Sequence, residues 1–310
     1  MHPDLYFNLN VGCLPNSTCL NTILHCPKTK KMIVRKNLVL RDEHEKPVLY
    51  DLYYQQAKQP IPVVIFCHGY KGFKDWGPWH LVARAFAEAG FCFLKFNFSH
   101  NGGTVEQPMD FPDLNAFAEN NFSLELEDLD RILNSIEEGN MNIGPEISRI
   151  ALIGHSRGGG IVLIKSAEDP RIEKVVTWAG VSDLKSRFHE NTPEFEQWKK
   201  SGITYVENSR TKQQLPHNFQ FYEDFKANEQ RFTISRAAKT INVPYLIVHG
   251  AEDTTVIEAE AKNLNKWNPE SELVIIPDGD HVFGAGHPWE HANLPAPLKK
   301  VVDKTIDFLK

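Results

Sequence analysis

Residues Arg149–Gly159 read RIALIGHSRGG, an apolar run that breaks into a glycine-rich turn around Ser156. Arg149-Ile150-Ala151-Leu152-Ile153 has the near-continuous apolar character of a strand covered on both faces. Gly154-His155-Ser156-Arg157-Gly158 then fits G-x-S-x-G, and Ile161 to Ala167 reads as a helix. Strand, tight turn and helix in that order form the context in which such a serine sits on a strained turn with its Oγ exposed. Glycines on either side let neighbouring backbone pass close by. The alternative is an ordinary strand-to-helix turn.

The text on both sides of this stretch has the same rhythm. Val63-Val64-Ile65-Phe66-Cys67, Phe91-Cys92-Phe93-Leu94-Lys95-Phe96 and Lys174-Val175-Val176-Thr177-Trp178 are short apolar runs, as are Tyr245-Leu246-Ile247-Val248-His249 and Leu273-Val274-Ile275-Ile276. Between them lie helical periodicities. Trp79, Val82, Ala83, Phe86 and Ala87 repeat at three and four residues before a stop at Gly90. Leu124, Leu126, Leu129, Ile132, Leu133 and Ile136 form a second stripe, with Ser123 as its expected N-cap. Leu298, Val301, Val302, Thr305, Ile306 and Leu309 form a closing helix. Alternating strands and helices predict an α/β fold, a mostly parallel sheet of about eight strands with helices on both faces. Ahead of it, Ile33 to Leu40 and Pro47 to Gln55 flank a polar turn, Arg41 to Lys46, and read as an antiparallel hairpin.

One interval breaks the rhythm. Val181 to Asn242 separates two strands and is rich in aromatic residues, among them Phe188, Phe195, Trp198, Phe221 and Phe225. A structureless loop of that length is disfavoured. It reads as a small, mainly helical cap (181–242) inserted into a core formed by 32–180 and 243–310. Residues 1–31 read as a poorly ordered extension. They lack a basic start followed by an apolar stretch, so they do not resemble a signal peptide.

The other motifs fall at strand ends. A serine hydroxyl is a weak nucleophile until a base takes its proton, and that base needs an orienting acid. After the run ending at His249 comes Gly250-Ala251-Glu252-Asp253-Thr254. After the run ending at Ile276 comes Pro277-Asp278-Gly279-Asp280-His281-Val282-Phe283. Serine, acid, histidine is the chain order for this kind of turn, so Asp253 is the acid and His281 the base. Glu252 is the rival acid; Asp278 and Asp280 read as loop formers. An oxyanion needs backbone donors. The amide of Arg157 is one candidate. The amide of Tyr70, in His68-Gly69-Tyr70-Lys71-Gly72-Phe73, is the other, with its ring bordering the pocket. His68 and His249 read as structural and His155 as a local packing or hydrogen-bonding residue. His287, Glu290 and His291 suit a capping loop better than a metal site.

Composition narrows the function classes. The chain has 310 residues, 41% hydrophobic and 24% charged, with net charge −6 and no basic cluster. Nucleic acid is therefore not an expected partner, and no apolar run approaches a membrane span. Cys67 and Cys92 read as buried thiols. Cys13, Cys19 and Cys26 lack the spacing of a metal pair, and free thiols in a cytoplasmic protein are expected.

Taken together, His68-Gly69-Tyr70-Lys71-Gly72, Phe96-Asn97-Phe98-Ser99-His100-Asn101-Gly102, Gly154-His155-Ser156-Arg157-Gly158-Gly159, His249-Gly250-Ala251-Glu252-Asp253 and Asp280-His281-Val282-Phe283 resemble the α/β-hydrolase superfamily. The resemblance runs from about Ile33 to the C-terminus. It is greatest to the cinnamoyl/feruloyl-esterase-like and serine-aminopeptidase-like members, which carry a comparable HG-x-x-G loop and a cap between the same strands. It implies hydrolysis of a small-molecule carboxylic ester through a covalent acyl-enzyme with no cofactor, and a cap that shapes the acyl pocket; the aromatic residues of that cap point to an apolar or aromatic acyl group. Two other readings stand beside it. An aminopeptidase-type or acyl-aminoacyl amide hydrolase would use the same residues. A non-catalytic binding protein on the same fold would usually lack one of them. A dehalogenase or epoxide hydrolase needs Asp where Ser156 stands.

Overall fold

The computed structural model describes residues 31–41, 46–141 and 143–310, so all but the last residue of the expected N-terminal extension, with Cys13, Cys19 and Cys26, lies outside the described residues. The chain opens with β1 (Met32–Leu40), β2 (Val48–Gln55) and β3 (Ile61–Cys67). There follow α1 (Trp79–Glu88), β4 (Cys92–Asn97), α2 (Leu114–Glu119) and α3 (Phe122–Glu137). Next come β5 (Ile147–His155), α4 (Arg157–Glu168) and β6 (Ile172–Trp178). Beyond a 3-10 turn at Lys185–Phe188 lie α5 (Pro193–Ser201), β7 (Ile203–Glu207), β8 (Gln214–Asn218), α6 (Gln220–Ala227) and α7 (Ile234–Thr240). The chain closes with β9 (Tyr245–Gly250), α8 (Glu258–Trp267), β10 (Glu272–Ile276) and α9 (Ala296–Leu309).

The main sheet runs β1-β2-β4-β3-β5-β6-β9-β10. It is parallel from β4 to β10, and β2 joins both β1 and β4 antiparallel, as the hairpin reading required. Successive residues of β3 serve opposite faces. Val63, Ile65 and Cys67 pack in one core with α3, α4, α7 and α8 residues such as Leu126, Ile161, Ala237 and Leu264. Val64 and Phe66 pack in the other core with α1 and α9 residues such as Phe86 and Val301. Two buried faces explain why these strands carry continuous apolar runs. Each fully buried aliphatic side chain contributes roughly 1.5–3 kcal/mol.

One detail differs from the expectation and one adds to it. The cap of α3 is Asn121, extended at φ −155°, whose side chain accepts from Leu124 N. Asn serves as well as Ser in this role, and Ser123 falls in the first turn, where its Oγ donates to Asp224 Oδ1 at 2.5 Å. The segment between β6 and β9 is mainly helical, as expected, with one addition. It holds the antiparallel pair β7·β8, registered Ile203↔Asn218 to Glu207↔Gln214, where β-branched and aromatic Thr204-Tyr205-Val206 suit an extended pair.

The apolar runs of β2 and β4 also carry charges. Asp51 and Lys95, both with fully buried side chains, form a closed ring with Lys74 and Asp75 from the loop after β3. Lys95 Nζ reaches Asp51 Oδ2 at 2.6 Å and Asp75 Oδ1 at 2.5 Å; Lys74 Nζ reaches Asp51 Oδ1 at 2.8 Å and Asp75 Oδ2 at 2.5 Å. Burial would raise the Asp75 carboxyl, but the two ammonium groups hold it far below the usual range. Lys74 N donates to Asn97 Oδ1 at 2.6 Å, tying the loop after β3 to the end of β4. Removing one partner leaves buried charge uncompensated, which costs about 3–5 kcal/mol. Lys95→Met is therefore expected to lower unfolding stability by about that amount in urea titrations. A loss under about 1 kcal/mol would mean the ring is exchangeable with apolar packing.

Candidate active site

In an open α/β sheet the cleft opens beyond the carboxyl ends of the strands, where strand order reverses. Here that point lies between β3 and β5. From β3 the chain moves outward to β4, then returns past β3 to β5. Cys67 of β3 pairs with Gly154 of β5 at this end, so the loop after β3 and the turn after β5 leave the sheet side by side.

Ser156 sits on the turn between β5 and α4 with φ 56° and ψ −120°. This left-handed backbone is strained for any residue but glycine. The surroundings enforce it. A Cβ on Gly158 would stand 2.4 Å from Cys67 O, so a glycine is needed for α4 to start against β3. A Cβ on Gly69 would stand 2.8 Å from Ser156 Cβ, so the loop after β3 also touches the serine.

The structure brings Ser156, His281 and Asp253 together. His281 Nε2 lies 3.0 Å from Ser156 Oγ, and His281 Nδ1 lies 2.8 Å from Asp253 Oδ2. Asp253 Oδ1 accepts from Thr255 N at 2.8 Å and Val256 N at 2.9 Å. Burial alone would raise this carboxyl; the hydrogen bond and charge of His281, with those two amides, outweigh it and hold it below the usual range. Glu252, the rival, is exposed. The neighbouring histidines brace the arrangement. His249 donates from Nε2 to Val256 O at 2.7 Å, and His155 donates from Nε2 to His281 O at 2.9 Å. Burial pushes His155 down to about 3, so it stays neutral beside the site. Asp280 Oδ1 accepts from Val282 N and Gly284 N, which folds the turn carrying His281.

Arg157 is the first residue of α4, so its amide is one of the donors a helix leaves without an internal acceptor. Tyr70 follows Gly69 directly, which sets its amide near the serine. Both side chains do more than the motifs suggested. Tyr70 OH lies 2.6 Å from Nε2 of His217, on β8. Burial raises the phenol to about 12 and lowers the imidazole to about 3, so a neutral phenol donates to a neutral ring. The Arg157 guanidinium stacks 4.3 Å from the Tyr70 ring centroid and 5.2 Å from that of Phe221. It also lies 3.5 Å from buried Glu125 Oε1, which accepts from Asn120 Nδ2 at 2.8 Å. His217 and Glu125 could not be singled out from the sequence. One sits in an unmotivated strand of the inserted segment, the other in an amphipathic helix where glutamate is ordinary.

Two cavities meet at Ser156. One, about 560 Å³, lies under the inserted segment and is walled by Phe122, Phe188, Phe195, Trp198 and Phe221. The other, about 400 Å³, lies on the His281 side and is bordered by Lys71, Trp76, Arg210 and His287. Tyr70 and Ser156 border both. His287 Nδ1 accepts from Gly77 N at 2.9 Å. Among the described residues no cluster of three or more His, Cys, Asp or Glu is placed to hold a metal ion. Cys67 and Cys92 are buried free thiols.

The family model described as "Alpha/beta hydrolase family" matches residues 64–294, well over half of the chain. The chain belongs to this family. Among curated protein sequences, none matches it. Solved structures of similar fold include Est1E from Butyrivibrio proteoclasticus with ferulic acid bound. It is 16% identical, with TM-score 0.63, over 88% of this chain and 97% of that one. The alpha/beta hydrolase domain-containing protein 10 from mouse is 17% identical, with TM-score 0.63, over 88% and 99%. The Pyrococcus horikoshii acylaminoacyl peptidase is 16% identical, with TM-score 0.61, over 90% of this chain but 41% of its own. At these identities the likeness is one of fold. Among the described residues no helix is long and apolar enough to cross a membrane.

Proposed function

We propose that this hydrolase cleaves carboxylic esters through an acyl-enzyme on Ser156. The observation that carries the reading is the unbroken chain from Asp253 through His281 to Ser156, at 2.8 and 3.0 Å. Ser156 Oγ attacks the carbonyl carbon as His281 Nε2 takes its proton. Asp253 holds the Nδ1–H and stabilises the imidazolium. The carbonyl oxygen, now negative, lies against the amides of Tyr70 and Arg157. Collapse breaks the C–O bond, and His281 returns the proton to the departing alcohol. Water, deprotonated by the same histidine, then releases the acid.

The two cavities sort the halves of the ester. The departing oxygen must leave within reach of His281, and the 400 Å³ cavity is the one that histidine borders. The acyl chain therefore lies in the aromatic cavity under residues 181–242, which act as a cap. Each added methylene buried there is worth roughly 0.8 kcal/mol, about fourfold in kcat/KM. A series of p-nitrophenyl esters from acetate upward is expected to show about that rise until the cavity is full. A flat series would count against the acyl assignment. Faster cleavage of aminoacyl anilides than of matched esters would turn the reading to a peptidase.

A further inference from the structure

The cavity assigned to the alcohol half has an unbalanced charge. Lys71 and Arg210 border it, and no Asp or Glu does. The Arg210 guanidinium is already paired with Asp110. His68 is lowered to about 4 by burial, and His287 is lowered as well, so both are neutral near pH 7. With Nδ1 of His287 accepting from Gly77 N, its proton sits on Nε2 and is free to donate. Lys71 pairs with no carboxylate among the described residues; its ammonium lies 5.4 Å from the Tyr70 ring centroid and is half-buried, with burial lowering its pKa. Its backbone adopts φ +56° in the loop that also supplies Tyr70, a conformation glycine would accept more readily. The turn closed by Gly72 N donating to Gly69 O sets that backbone, and it leaves the lysine side chain one residue from the proposed oxyanion donor with no counter-ion among the described residues.

We propose that the alcohol half of the ester carries a carboxylate, which Lys71 binds, with the Arg210 guanidinium and His287 Nε2–H as further donors. The uncompensated charge is a single positive one, which suits a monoanion better than a phosphate dianion. A partly desolvated ammonium attracts an anion more strongly than an exposed one does, and hydrogen bonds to charged groups exceed neutral ones. The inference rests on the ester reading and on the cavity assignment above.

The test compares butyryl esters of 3- and 4-hydroxybenzoate with those of the corresponding neutral methyl hydroxybenzoates. The readout is the ratio of kcat/KM for anionic over neutral ester, in the wild type and in Lys71→Met and Lys71→Arg. Fluorophosphonate labelling of each protein reports whether the site is assembled. Lys71→Met is expected to lower the ratio about tenfold or more, the size of a lost charged hydrogen bond, and Lys71→Arg to retain most of it. Added salt is expected to narrow the ratio in the wild type. A ratio that Lys71→Met leaves unchanged overturns the charge inference while the ester reading stands. Failure of the wild type both to cleave any of the esters and to label overturns both.

Discussion

Ser156→Ala is expected to lower kcat/KM on p-nitrophenyl esters by a factor of roughly 10⁵–10⁶ and to abolish fluorophosphonate labelling. The loss should be chemical rather than structural. The turn is held by contacts that alanine keeps: Ser156 N donates to Trp178 O at 2.9 Å, and Ser156 O accepts from Gly159 N at 2.9 Å. The Cβ that fixes the close approach of Gly69 is present in both residues. Only Oγ is lost, and its partner is His281 Nε2. Thermal unfolding of the variant should therefore match the wild type, with a residual rate left to the backbone donors and to binding. A variant within tenfold of the wild type would place the esterase activity elsewhere in the molecule.

Asp253→Asn is expected to lower kcat by roughly 10⁴. The reason lies in how the carboxylate is anchored. Oδ1 is taken by the amides of Thr255 and Val256, both of which need an acceptor. An asparagine there keeps its oxygen toward those amides and so turns its NH₂ toward His281 Nδ1. The imidazole must then accept at Nδ1 and carry its proton on Nε2, facing Ser156, where it cannot act as a base. The same change at Glu252, which is exposed, should leave kcat within about twofold, since surface substitutions shift energies by only a few tenths of a kcal/mol. Equal losses at the two positions would mean that Asp253 is not the orienting acid.

These two residues show why much of the site is readable along the chain. Hydrophobic runs mark strands because a parallel sheet buries both faces, and that is a local property of each run. Once the runs ending at Ile153, His249 and Ile276 are recognised, the turns after them fall at one edge of the sheet. Ser156, Asp253 and His281 then become neighbours although Ser156 and His281 lie 125 residues apart. What the runs conceal is how the polar residues inside them pair. Asp51 and Lys95 are visible in their strands, but neither strand by itself shows that the two face each other across β2 and β4 and cancel.

The sequence by itself determined the strand order of chemistry, the strained serine turn and the identity of the residues that meet there, because glycine requirements and apolar periodicity act over a few residues. Tertiary structure alone decided the rest. It set Tyr70 against His217 across 147 residues, placed buried Glu125 behind Arg157, inserted a hairpin into the segment after β6, and divided the space at Ser156 into an aromatic and a cationic cavity. Each of these depends on how distant elements pack, and on burial that makes a phenol, an imidazole or a carboxylate matter. No short window of residues carries that information.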